Sequence, residues 1–282
     1  MINTENQKEF QRNNWSSAAE GWQRRDALLQ KGAAPVTKRM LELAQIESGS
    51  VLLDIASGTG QPALSAAKIV GANGKVIGTD LVDEMLVVAR KKAEQDNLKN
   101  IIFYCNDGEK LDYPDASFDA VTIRWGLMFM PEPQACLDAA YKALNQGGCI
   151  SLACWSAPEQ NPFVSLLMQT LGKYMEIPEA AKDAPGIFAF SDESRLYNVM
   201  EKVGFRNIGI EEMALDVLEV DNGRAYWDAI SDLAAPVMAL VDQLEDSARS
   251  DYIEEVIETA DALKQGDSLR MRGVTWIASG EK

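Results

Sequence analysis

From Val51 onward the chain repeats one pattern: a short unbroken apolar run, a turn of small or polar residues, then a stretch whose apolar positions recur every three or four residues. Unbroken apolar runs suit strands buried on both faces, and the longer period marks helices with one buried face. The alternation therefore predicts βαβ units around a mostly parallel sheet. Strands are expected at 51–55, 75–79, 101–105, 118–124 and 148–155, with helices at 60–70, 82–95 and 133–145 between them. Gly147 and Gly148 read as the stop signal of the last of these helices. In the helix from Val82, Arg90, Lys91 and Lys92 fall near the C-terminal end, where cations suit the helix dipole.

Outside this repeat the periodicity is mainly helical. Residues 1–46 read as helices, with Trp15 and Trp22 seven residues apart and so on one face. The stretch 158–191 is mixed around a helical segment at 163–175, and a helix at 192–203 runs through Gly204 into a strand near 206–213. Tyr252, Ile253, Val256, Ile257, Ala260 and Leu263 keep helical spacing before the strand-like ending "RGVTWIASG". The expected organisation is an N-terminal helical cap, 1–46, on a core, 47–282, with helical insertions at about 158–191 and 218–266.

The chemistry starts in the first βα turn, "LDIASGTGQPAL". A small-residue turn between a strand and a helix presents backbone N–H groups to a ligand, and in an open parallel sheet ligands sit at the carboxyl ends of the strands. Asp80 ends the second strand, twenty residues past Gly60, where a carboxylate can accept hydrogen bonds from both hydroxyls of a ribose. These features point to an adenosine-containing cofactor, either a nicotinamide dinucleotide or S-adenosylmethionine. Three observations favour the second. Asp54 would crowd a pyrophosphate but attract a cationic amino group; no tyrosine has a lysine four residues on to serve hydride transfer; and Asp107 follows the third strand, placed for an exocyclic amine.

Composition narrows the classes further. The 282 residues are 46% hydrophobic, enough for a large core, and the 27 basic against 43 acidic residues leave a net charge of −16. That field disfavours nucleic acid and anionic membranes as partners. No run approaches a membrane span and the polar start does not resemble a secretion signal, so a soluble, cytoplasmic protein is expected. Cys105, Cys136, Cys149 and Cys154 show no paired spacing, and there is no histidine at all, so no metal site is expected and any chemistry must proceed without imidazole.

At "VLLDIASGTG", "VIGTDLVDEML", "NDGEKLDYPDASFDAV" and "ALNQGGCISLACW", in that order and spacing, the sequence resembles the class I S-adenosylmethionine-dependent methyltransferases, within them the UbiE-like small-molecule branch. The likeness is close over roughly Gly49 to Trp155 and loose elsewhere. It implies an α/β, Rossmann-like, mostly parallel seven-stranded sheet with an antiparallel last strand from residues 270–279, and helical cap elements. It also implies that Asp54 and the turn Ala56, Ser57, Gly58, Gly60 with Gln61 hold the methionine part of the cofactor, and Asp80 the ribose. Leu81 and Met85 would flank the adenine, with Asn106, Asp107 and Gly108 at its edge and Arg124 and Trp125 beside the methyl group. One departure is Ala56, where the family often has glycine.

For the acceptor side, Trp15, Trp22, Met128, Phe129, Trp155, Asn161 and Trp227 are the candidates, although large apolar residues serve cores as readily as pockets. Methyl transfer needs alignment and exclusion of water more than a protein nucleophile. With no histidine, an acceptor that is already anionic or easily ionised is expected, and O-methylation somewhat ahead of C- or N-methylation. The apolar flanking helices suggest a moderately large, hydrophobic small molecule or peptide natural product as substrate. The alternatives are a nicotinamide oxidoreductase and a non-methylating cyclase or scaffold on the same fold.

Overall fold

The structure, a computed structural model, describes residues 4–177 and 184–282; residues 178–183 of the expected insertion, and 1–3 of the expected cap, lie outside it. Seven strands form one sheet: β1 (Val51–Ile55), β2 (Lys75–Asp80), β3 (Ile101–Cys105), β4 (Phe118–Arg124), β5 (Leu144–Trp155), β6 (Arg206–Val220) and β7 (Leu269–Glu281). Their order is β3-β2-β1-β4-β5-β7-β6. The first five are mutually parallel, and β7 inserts antiparallel between β5 and β6.

The helices follow from the amphipathic stretches. They are α1 (Thr4–Arg24), α2 (Asp26–Leu43), α3 (Ala63–Val70), α4 (Asp83–Gln95), α5 (Pro133–Ala143), α6 (Pro162–Leu171), α7 (Glu193–Val203), α8 (Gly223–Leu233), α9 (Ala235–Val241) and α10 (Asp246–Asp261). Alanines and leucines of α3 and α4 pack against β1–β3 in one apolar cluster, with Leu52, Val76 and Phe103 at its centre. A larger cluster takes the inner faces of α2 and α5–α8 with β4, β5 and β7. Val36 and Met40 of α2 are wholly buried there, so α2 belongs to the layer against the sheet, while α1 crosses its carboxyl-end rim. No helix among the described residues is long and apolar enough to cross a membrane.

Several boundaries differ from the sequence-based expectation, among them the helix expected at 163–175, which ends at Leu171 where Gly172 follows. The first helix begins at Ala63 rather than 60, because the turn continues through Pro62. The helix expected to run to 145 ends at Ala143, and Gly147 and Gly148, expected as its stop, lie inside β5. There the ladder shifts register between Phe118 and Ala120, and Gly147 takes φ +77° where Lys282 pairs with it and Gly148. The strand expected to end at 213 continues to Val220, since β7 is long enough to pair with it from Glu281 to Leu269. The expected helical insertion therefore begins at Gly223 rather than 218.

The connections run to β2 on one side of β1 and to β4 on the other, which opens a crevice at the carboxyl ends of β1 and β4. All three acids singled out in the sequence, Asp54, Asp80 and Asp107, lie at that end of the sheet.

Candidate cofactor and acceptor site

The crevice is a pocket of about 1010 Å³ including its open mouth. The turn after β1 forms its floor. Ala56 (φ +57°) and Gly58 (φ +52°) both take the left-handed conformation, so the chain reverses within a few residues. A side chain at Gly58 would point into open space on the pocket side, so its absence leaves backbone bare to a ligand. Gly60 (φ +108°) serves packing instead: a methyl there would sit 2.7 Å from Leu64 and 3.1 Å from Ala89.

Asp80 fixes the geometry of two loops at once. Its Oδ2 accepts the Gly58 N–H at 2.8 Å and its Oδ1 the Val82 N–H at 3.0 Å, while the carboxylate still faces the pocket. Burial pushes its carboxyl up to about 6, against the pull of these N–H groups. Asp54 is wholly buried beneath the turn because the β1–β4 register sets it opposite Thr122. Thr122 donates to its Oδ1 at 2.7 Å, and its Oδ2 has no partner. Burial raises this carboxyl to about 6 as well, with Thr122 and the Arg124 charge opposing. An orphaned buried carboxylate oxygen under a bare glycine turn suits a ligand that carries a cationic amino group, as S-adenosylmethionine does. The residues present thus fit the expected cofactor.

Of the cofactor residues expected from sequence, Ala56, Ser57, Gly58, Gln61, Asp80, Leu81, Met85, Asn106, Asp107, Gly108, Arg124 and Trp125 all line this one pocket; Asp54 and Gly60 lie behind its wall. Of the acceptor candidates, Trp15, Trp22 and Phe129 line it, with Trp15 edge-on to Trp22 at 5.7 Å and to Phe129 at 5.1 Å. The other four are not among its walls. Met128 is core, and Trp155 stacks 4.5 Å behind Trp125 as its support. Trp227 packs edge-on to Tyr252, and buried Asn161 holds the chain together by donating to the Ser156 carbonyl and accepting the Val274 N–H at 3.0 Å.

Lys8, Gln11, Glu109 and Met130 also line the pocket and escaped sequence reasoning. Lys8 is only 5% exposed and is paired with Asp107 at 2.6 Å and with Glu109. Burial alone would push its ammonium down, but the hydrogen bonds and charges of the two carboxylates outweigh this and hold it above its ordinary value. A signal existed: Lys8, Trp15 and Trp22 are spaced by seven, so a helix puts all three on one face. At the far end of α1, Arg24 and Arg25 both pair with Asp232 of α8, so the helix is pinned across the pocket at both ends.

Ala56 makes its own prediction. A methyl at Gly126 would stand 2.3 Å from the Ala56 methyl. Gly126→Ala should therefore destabilise the fold by roughly 1–3 kcal/mol through overpacking, and Ala56→Gly should restore much of that loss. By itself Ala56→Gly should raise stability by up to ~1 kcal/mol, because a left-handed alanine is strained. Chemical denaturation of the two single variants and the double variant checks this; a double variant whose stability is the simple sum of the two single changes would rule the contact out.

Comparison with known proteins agrees with this geometry. At the level of fold, a Bacillus subtilis protein, YcgJ, superposes with TM-score 0.59 at 19% identity, covering 88% of this chain and 98% of its own. In sequence, the chain is 29% identical over 188 residues to the ubiquinone/menaquinone biosynthesis C-methyltransferase UbiE of a Marinomonas species, covering 63% of this chain and 75% of that protein. It is 31% identical to the demethylmenaquinone methyltransferase of Lactobacillus johnsonii, over 63% and 77% of the two chains. The nicotinamide alternative falls with these matches. Residues 36–224, which carry the turn, Asp80, Asp107 and Arg124, match the ubiE/COQ5 methyltransferase family, and the chain belongs to that family as an S-adenosylmethionine-dependent methyltransferase.

Proposed function

We propose that this methyltransferase alkylates a ring carbon of a lipophilic hydroxyaromatic substrate that reaches the site as an electron-rich, ionised or readily ionised ring. The observation that carries the reading is the distribution of titratable groups in the pocket. Its acids are Asp80, Asp107 and Glu109, the first held by backbone N–H groups and the other two by Lys8, all toward the cofactor's nucleotide end. Among the described residues the rest of the lining is largely apolar and includes Trp15, Trp22, Trp125 and Phe129, and the one charged group besides Lys8 and these acids is Arg124.

Bound S-adenosylmethionine supplies an electrophilic methyl group on a cationic sulfur. The chain's own part is to hold, orient and dry the reactants. Gly58, Asp80 and Asp107 hold the nucleoside and the turn. Trp125, braced by Trp155 and by its own indole N–H on Thr275 at 3.0 Å, gives the acceptor a rigid flat wall. Trp15 and Trp22 on α1 close the pocket from above. Such positioning can supply roughly 7–11 kcal/mol. A neutral alcohol would need its proton removed during attack, and among the described lining residues every carboxylate is already held by backbone N–H groups or by Lys8. A hydroxyaromatic ring that arrives ionised needs no base during attack, because its oxygen drives electron density onto carbon; the proton on the newly methylated carbon is lost to solvent afterwards, as the ring regains aromaticity. The C-methyltransferase named among the relatives supports carbon over the oxygen acceptor expected from sequence alone, and the aromatic walls support a flat lipophilic ring over a peptide.

The test is turnover with isotopically labelled methyl donor on three acceptors: a lipophilic demethylquinol kept reduced, its oxidised quinone, and an aliphatic alcohol of similar size. Ring C-methyl product from the reduced form alone, identified by NMR, is expected. An O-methyl product from any of them, or turnover of the alcohol, would overturn the assignment of acceptor while leaving the cofactor chemistry in place.

A further inference from the structure

The cofactor's amino-acid end carries a carboxylate, and burying a carboxylate requires a cation or several N–H donors. Among the described residues that line the pocket, two are cations, Lys8 and Arg124. Lys8 is committed to Asp107 and Glu109. A third cation close to the turn, Lys92, lies outside the pocket and is held by Asp26 at 2.8 Å and by the Thr59 carbonyl at 2.7 Å.

Arg124 is different. It ends β4 next to the turn after β1, and Nη1 donates to the Thr37 hydroxyl at 2.6 Å. Its guanidinium carbon lies over the Trp125 ring, 5.1 Å from its centre, a cation–π contact that helps hold the side chain in place. A guanidinium has five N–H donors, and one of Arg124's is used by a side chain. None of the described carboxylates lies within salt-bridge distance of it, although the charges of Asp54 and Asp26 act on it from farther off. Burial lowers it to about 10, so it stays charged at neutral pH. A charged, oriented fork with spare donors facing a cavity is a binding group awaiting an anion.

We propose that Arg124, oriented by Thr37 and Trp125, is the group that binds the carboxylate of the cofactor's methionine end. Thr37 is then a positioning residue, and the orphaned Asp54 carboxylate beneath the turn balances the cofactor's amino group by charge. The arrangement orients the donor along the pocket from both ends, with Asp80 at the ribose and Arg124 at the amino acid. This assignment depends on the cofactor and not on which acceptor is methylated.

The test is calorimetric titration of the full chain with three ligands: S-adenosylhomocysteine, its decarboxylated analogue, which keeps the amine, and 5′-methylthioadenosine, which lacks the whole amino-acid end. In the wild type, S-adenosylhomocysteine should bind at least tenfold more tightly than the decarboxylated analogue; a smaller preference overturns the assignment without any variant. In Arg124→Met that preference should fall at least tenfold while 5′-methylthioadenosine keeps its affinity within threefold, and Arg124→Lys should recover part of it. Equal weakening of all three ligands would show that Arg124 only maintains the fold. An unchanged preference would turn the guanidinium over to the acceptor. Should Arg124→Met not fold, Thr37→Val is the second variant, expected to reduce the same preference about threefold, and an unaltered preference there counts against the proposal.

Discussion

Asp80→Ala is expected to weaken S-adenosylhomocysteine binding at least 100-fold, about 2.7 kcal/mol, in a protein that remains folded. Hydrogen bonds to a charged group contribute about 1.5–3 kcal/mol each, and this carboxylate makes two to loop backbones while facing the ribose position. Its removal deletes a ligand contact and releases both the Gly58 and Val82 loops. Binding within threefold of wild type by calorimetry, with native circular dichroism, would sink the assignment.

The same residue sets a pH dependence. Burial holds the Asp80 carboxyl at about 6, above its ordinary value near 3.8. Between those values the folded protein binds the proton more readily than the unfolded chain does. The contribution of this group to stability is therefore full below about 4 and is lost as pH rises through 6. Ligand binding runs the other way, since ribose hydroxyls donate to the ionised form. S-adenosylhomocysteine affinity should accordingly rise between pH 5 and 7.5. In Asp80→Asn that rise should flatten, and the stability gap to wild type should move in the variant's favour over the same range. Identical pH profiles for the two proteins would contradict the account.

Lys8→Met carries the second large effect. Removing one partner of a buried ion pair costs about 3–5 kcal/mol because it leaves an uncompensated charge, and here two carboxylates, Asp107 and Glu109, are left facing the same space. The cost should appear as detachment of the N-terminal half of α1 rather than global unfolding, because the other end is separately held by Asp232. Hydrogen exchange over residues 4–15 should accelerate strongly while the β1–β5 amides stay protected. Adding Glu109→Gln should restore part of the protection, since it removes one of the two exposed like charges. Global unfolding with no recovery in the double variant would show that the ion pair supports the core and not the lid. Turnover should fall in Lys8→Met as well, because Trp15 and Trp22 ride on the same helix.

The sequence by itself determined the parts of this protein that are local in the chain. A strand buried on both faces must be an unbroken apolar run, a tight βα turn must be built of small residues, and an acid at a strand's carboxyl end is read directly from the register of one βα unit. Asp80 and Asp107 were legible for that reason, as were the turn and Arg124, and all of them meet in one pocket. Strand ends were legible only where a helix or turn residue marks them. β6 continues past 213 because β7 pairs with it, and Gly147 sits in a strand because Lys282 pairs beside it.

Only the tertiary structure decided which large side chains face the ligand, because burial against a sheet and burial against a cavity impose the same apolar pattern. Trp15 and Phe129 thus form pocket wall while Trp155, Met128 and Trp227 form its backing and core. Asn161, polar and wholly buried, is a structural clasp. The tertiary structure also decided how the charges are shared. Lys8 reaches Asp107 across 99 positions of chain, so no spacing rule links them, yet that contact ties α1 over the site and, among the described residues, leaves Arg124 as the lining cation that no carboxylate pairs with.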